Sequence, residues 1–152
     1  AGDDTFVFGA VSEGGDTITD FVTTDDELDL TGINTAFVEG NVKSGDATVG
    51  GDEIGLFTKG AVDGTAGQGF ADSASEVVAL EANAAWTGFS DGDTGIVVTA
   101  ATMGSTNDVN VWHFDDADSD GLDDGDVNLI ANITGTGVSD PAADLVATDF
   151  IA

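Results

Sequence analysis

A chain of 152 residues is long enough for one domain with a real core, and its hydrophobic content of 41% is ordinary for a globular protein. Its charge is not ordinary: 30 acidic residues face only Lys43 and Lys59, for a net charge of -28, which excludes nucleic acid and anionic membranes as natural partners because both need a basic face. The absence of cysteine excludes a disulfide scaffold and thiolate metal sites, and no apolar run reaches the length of a membrane span.

In chain order, Thr5–Phe8, Asp16–Phe21 and Glu27–Leu30 read as strands. Each is a short run rich in Val, Ile, Phe, Leu or Thr, bounded by Gly and Asp. The start, AGDDTFVFGA, has neither the basic nor the long apolar region of a signal peptide and no initiating Met, so a fragment of a longer chain is expected. Thr31–Gly40 has room for one or two helical turns. Glu53–Thr58 reads as a strand, and Gly-rich Lys59–Ser75 as a long loop. Glu76–Ala82 is ambiguous: its propensity allows helix, while Val77–Leu80 fits a buried strand. Ser90–Gly95, with Asp91 and Asp93 among glycines, reads as a plain turn.

Gly95–Ala100, Asp108–Phe114 and Asp126–Ile133 read as strands. Alternation puts Val109, Val111 and His113 on one face, with Asn110, Trp112 and Phe114 on the other; it also puts Val127, Leu129, Ala131 and Ile133 on one face. Asp140 before Pro141 is an N-cap followed by Pro at the first helical position, which predicts a short helical turn. Asp144–Val146 is the last expected strand.

Aspartate outnumbers glutamate 24 to 6, and Asp belongs to turns and caps, so the negative charge concentrates in loops. Halophilic adaptation predicts acids spread evenly with Glu well represented; the clustering and the Asp bias argue against it as the sole cause. Seven of the twelve residues from Asp115 to Asp126 are aspartates. Carboxylates in so short a loop lie within about 4–8 Å of one another, inside the Debye length of about 8 Å, so bulk salt screens them poorly. Bound cations are the natural remedy.

The loop has the grammar for it. Asp116, Asp118 and Asp120, followed by Gly121, reproduce the first half of an EF-hand-type loop, and the glycine turn brings in the carbonyl of Leu122. The ninth place is Asp124. The twelfth, where a bidentate Glu is usual, is Val127, with Asp126 one residue early. The expected site is therefore an EF-like calcium loop on a β-hairpin, closed by Asp124 or Asp126. Oxygen ligands without His or Cys point to calcium (Ca2+) over zinc or copper. The plain alternative is a solvated acidic loop.

Nothing marks an enzyme. His113 is the only histidine and has no nucleophile or metal motif beside it, so it reads as a packing or surface residue. Trp86 and Trp112 read as core, and a sugar hydrolase would be expected to carry more aromatics than these 11.

Three further stretches resemble a known family. AGDDTFVFG (Ala1–Gly9) resembles a last, incomplete RTX nonapeptide, with Gly2, Asp4 and Phe6 at the G, D and U places. GDTITDF with DDELDLTGI resembles the segment that follows the repeats in serralysin-type proteins. The tail, VNLIANITG through LVATDFIA, is similar to C-terminal domains of type I secreted proteins and of bacterial surface-layer and adhesin proteins. The resemblance covers about half the chain and departs from the family in holding a single partial repeat.

It implies an all-β fold: the end of a parallel β-roll (residues 1–30) leading into a β-sandwich-like part (31–152), in one C-terminal domain with Ca-binding loops. It implies Asp4 as a roll ligand; GDTITDF offers Asp16 and Asp20, and TTDDELDL offers Asp25, Asp26 and Asp29, for a second calcium site, set against ordinary turn and edge-strand chemistry there. The implied role is a non-catalytic domain, secreted or cell-surface associated. Its partners would be calcium and the type I secretion machinery, without nucleic acid or membrane insertion, and it would fold when calcium is met outside the cell. The rivals are a surface-layer or matrix unit that self-assembles through calcium, and a Ca-dependent adhesin domain binding a cell-surface polysaccharide.

Overall fold

The computed structural model describes residues 2–33, 42–44, 52–56, 92–100, 109–116, 125–134, 138 and 144–151. These form an all-β fold of two open sheets. Strand β1 is Thr5–Val7, β2 Asp16–Ile18, β3 Glu27–Asp29, β4 Val42–Ser44, β5 Ile54–Leu56, β6 Thr94–Ala100, β7 Val109–Asp115, β8 Val127–Ile133 and β9 Phe150–Ile151.

The first three strands alternate between the sheets. β1 and β3 pair in parallel with Thr5 opposite Glu27, so the chain returns to the same level after visiting β2 in the other sheet. A parallel pair needs such a crossover, since a tight turn can join only antiparallel neighbours. β9 completes the smaller sheet, in the order β1-β3-β9, by pairing in parallel with β3. The larger sheet runs β2-β8-β7-β6-β5-β4. Within it β6, β7 and β8 form an antiparallel meander, flanked by parallel pairings of β2 on β8 and of β4 and β5 toward β6.

The core lies between the sheets. Phe8, Ile18, Phe21, Leu28 and Leu30 from the first thirty residues pack in one buried cluster with Ile54, Ile96, Val98, Val111, Ile130 and Phe150. The first thirty residues and the rest of the described chain therefore share a core. The outer face of β7 is buried too: Trp112 donates its indole N–H to Thr99 Oγ1 at 3.0 Å, and a Cβ on Gly95 would overlap the Phe114 ring. All six residues from Val109 to Phe114 are buried, as befits the strand at the centre of the meander.

Three details differ from the sequence reading. Asp144–Val146 is not a strand; a single 3-10 turn at Ala147–Asp149 follows it, and the final strand is β9. β4 escapes pattern recognition because V-K-S is three residues with no alternation to read. In β8 the four predicted residues split between faces. Val127 and Leu129 pair with Phe114 and Trp112, whereas Ala131 and Ile133 pair with Val111 and Val109. The cause is a β-bulge: Ile130 is an extra residue between Leu129 and Ala131, and one inserted residue reverses the parity of a strand. Of the expected helix at Thr31–Gly40, Thr31–Ile33 is a turn; the remainder lies outside the described residues, as do Glu76–Ala82, Lys59–Ser75 and the Asp140–Pro141 turn.

Candidate metal centre

Parallel β5 and β6 start, β7 ends and β8 starts at one end of the larger sheet. That end collects acids: Asp52 and Glu53 before β5, Asp93 before β6, Asp115 and Asp116 at the end of β7, and Asp126 before β8. Backbone hydrogen bonds fix their neighbours. Asp52 N–H donates to Thr94 O at 2.7 Å, Asp116 N–H to Asp93 O at 3.1 Å and Asp115 N–H to Asp126 O at 3.0 Å. Asp52 sits at φ 58 and Gly92 at φ 87, both in the left-handed region that turns a chain sharply into a strand.

The acidic loop springs from a β-hairpin, as its sequence predicts: β7 and β8 are antiparallel, with Phe114 opposite Val127. Of its predicted ligands, Asp118, Asp120, Leu122 and Asp124 lie outside the described residues. Asp126 is half-buried in the turn before β8. Asp116 is 2% exposed, and its Oδ1 is buried without a hydrogen-bond partner. A buried oxygen left without a donor costs on the order of 1–3 kcal/mol, more if it is charged. Among the described residues no three acids or imidazoles converge closely enough to hold a metal on their own.

The first thirty residues carry the other predicted ligands. Asp26 precedes β3 as Asp4 precedes its parallel partner β1, and the two are joined directly: Asp26 Oδ1 accepts the Asp4 N–H at 3.0 Å, while Oδ2 accepts the Val22 N–H at 2.8 Å. Buried Asp26 thus clamps β1 to the turn that re-enters β3. Asp16 and Asp20 are exposed, Asp16 on β2, an edge strand among the described residues, and Asp20 in the bend that follows it. Asp29 stays local: its Oδ1 accepts the Thr31 hydroxyl at 2.6 Å and the Thr31 N–H at 3.0 Å, and these donors hold its carboxyl below the usual range. Asp149 is held above that range, first by burial. The 2.6 Å hydrogen bond from Val146 N–H opposes the shift, and repulsion from Glu27 adds to it.

His113 belongs to the fold. Thr94 Oγ1 donates to Phe114 O at 3.0 Å, so the His113 Nε2 contact, also 3.0 Å, must carry the ring proton toward Thr94. Nδ1 is then a bare acceptor, buried and without a partner. Burial lowers the pKa of the ring below its ordinary value, against the opposing pull of Asp115. In the unfolded chain the ring takes a proton near pH 6.5; in the folded chain it resists until a lower pH. The stability it contributes is therefore complete above about pH 6.5 and falls as pH drops toward the folded value. In saturating calcium, the melting temperature is expected to fall between pH 7.5 and 5.5, and His113→Gln to remove most of that slope. A slope unchanged in the variant assigns the pH dependence to other groups.

Asp52 and Asp93 come to the same sheet end as Asp115, Asp116 and Asp126 only through strand pairing. The available signal was the repetition of a glycine–aspartate step directly before a strand, in GGDEIG and SDGDTG. Scans of protein-family models, curated proteins and solved structures each return no match for this chain.

Proposed function

We propose that the chain is a non-catalytic, calcium-binding C-terminal domain of a secreted RTX-like protein. Its role is to serve type I secretion and to fold when it meets calcium outside the cell. The observation that carries this reading is Asp116, a buried carboxylate with a donorless oxygen at the mouth of a loop containing six further aspartates. A hard divalent ion supplies the positive charge that the chain, with two lysines and no arginine, does not provide. Because the ion binds the folded state, it stabilises that state by mass action; without it, carboxylate repulsion favours the open chain. The return of β3 onto β1 through the opposite sheet supports the end of a parallel roll.

A surface-layer or matrix unit is the second reading. It is favoured by β1, which among the described residues is the edge strand of the smaller sheet and on which Val7 is 66% exposed.

The direct test is calorimetric calcium titration of Asp118→Ala. Loss of a carboxylate ligand is expected to weaken binding by about tenfold or more. A titration identical to that of the unaltered chain would reassign the loop to an ordinary solvated turn.

A further inference from the structure

We propose that Asp149 makes residues 144–151 a proton-operated latch on the smaller sheet: the neutral carboxyl holds β9 against β3, and the ionised one loosens it. β9 has only two paired residues, so it depends on what surrounds it. Leu145 and Phe150 are buried on either side of the 3-10 turn, and Leu30 N–H donates to Ile151 O at 2.8 Å. Asp149 ends that turn and is 1% exposed. Its Oδ2 accepts one hydrogen bond, from Val146 N–H at 2.6 Å. Because Leu28 lies opposite Phe150, the register sets Asp149 beside Glu27, one place earlier in β3.

Two acids thus meet across β3 and β9. Glu27 has Thr5 of β1 on its other side, Asp29 of β3 is occupied with Thr31, and Asp144 opens the segment itself. Residues 2–33 and 144–151 contain no Lys, Arg or His, and the basic groups among the described residues, Lys43 and His113, belong to the larger sheet. A buried carboxylate is comfortable as an ion only with several donors or a positive partner, and Asp149 has one donor and a like charge. Burial accordingly holds its carboxyl above the usual range; the Val146 hydrogen bond opposes the shift and Glu27 adds to it. In the unfolded chain Asp149 gives up its proton near pH 3.8, and in the folded chain it keeps it to a higher pH. The hold on β9 is therefore complete below that pH and is lost as pH rises through the folded value. So short a strand opens locally while the core stays closed. Its release reduces the smaller sheet to the β1–β3 pair.

The test follows amide hydrogen exchange by NMR in saturating calcium. The Leu30 amide reports on β9, since it is bonded to Ile151 O; the Phe8 amide, bonded to Asp29 O, reports on the β1–β3 pair. The ratio of their protection factors removes the intrinsic effect of pH and the global effect of His113, which runs the opposite way. Between pH 7.5 and 4.5 the protection of Leu30 relative to Phe8 is expected to rise several-fold. Asp149→Asn has no proton to lose and can still accept the Val146 N–H, so it is expected to keep the high ratio throughout. Glu27→Gln removes the repulsion and is expected to move the rise to lower pH. A ratio that stays flat in the unaltered chain, or that still changes with pH in Asp149→Asn, overturns the latch. The carboxyl carbon of Asp149 gives a reading that needs no variant: a titration midpoint above pH 3.8 supports the proposal, and one at or below it overturns it.

Discussion

In chelator at low salt the chain is expected to lose most of its β-sheet circular dichroism, and millimolar calcium to restore it. The net charge of -28 opposes compaction everywhere, but the decisive cost is local: acids crowd the sheet end, and Asp116 is buried there. An ion at one hundred times its dissociation constant adds about 2.7 kcal/mol to folding. That is a large share of the roughly 5–15 kcal/mol that holds an ordinary domain together, and a second site would raise it further. High sodium chloride should replace calcium only in part, because it screens the dispersed charge better than the crowded loop. A full sheet signal in chelator would show that the acids need no ion and would remove the switch. The same titration followed by light scattering separates the two proposed roles: mass that rises with calcium supports assembly, whereas a constant monomer supports the export module.

Phe21→Ala is expected to destabilise the calcium-saturated protein by about 3–5 kcal/mol. Phe21 is fully buried, follows β2 as the chain leaves the larger sheet, and meets the Phe6 ring of β1 at 6.0 Å between centroids. It therefore packs where the first thirty residues close on the core. Its removal leaves a cavity that the Asp26 clamp prevents from collapsing, because the Val22 N–H is fixed to Oδ2. Urea denaturation in saturating calcium measures the loss through the shift of the midpoint at constant slope. Phe6→Ala, at a half-buried ring, should cost clearly less. A loss below about 1 kcal/mol at Phe21 would mean that the first thirty residues unfold independently of the remaining core.

Much of the strand content was legible in the residues. Thr5–Phe8, Glu27–Leu30, Gly95–Ala100 and Asp108–Phe114 each lie within a residue or two of the observed strands, because β-branched and aromatic runs between Gly and Asp have few other ways to be buried. The hairpin carrying the acidic loop was legible for the same reason. Ile130 was not: a bulge is a relation between two strands, and D-V-N-L-I-A-N-I alternates well enough to hide it. Nor was the C-terminal strand. Phe150–Ile151 is two residues long, and it is a strand only because β3 offers an edge at Leu28.

The acid contrast is similar. Composition alone shows a highly negative chain rich in turn-forming Asp, and D-x-D-x-D-G names the loop in which counter-ions are proposed, since local spacing fixes which oxygens can converge. Which acids are buried was decided elsewhere. Asp116 is covered and Asp115 beside it is exposed, because the strand pairing that orients them is set by partners far along the chain. The same long-range pairing brings Asp93 to Asp116, and Asp26 to Asp4. Sequence specifies the chemistry each residue carries; only the closure of two sheets around a shared core determines which of those chemistries meet.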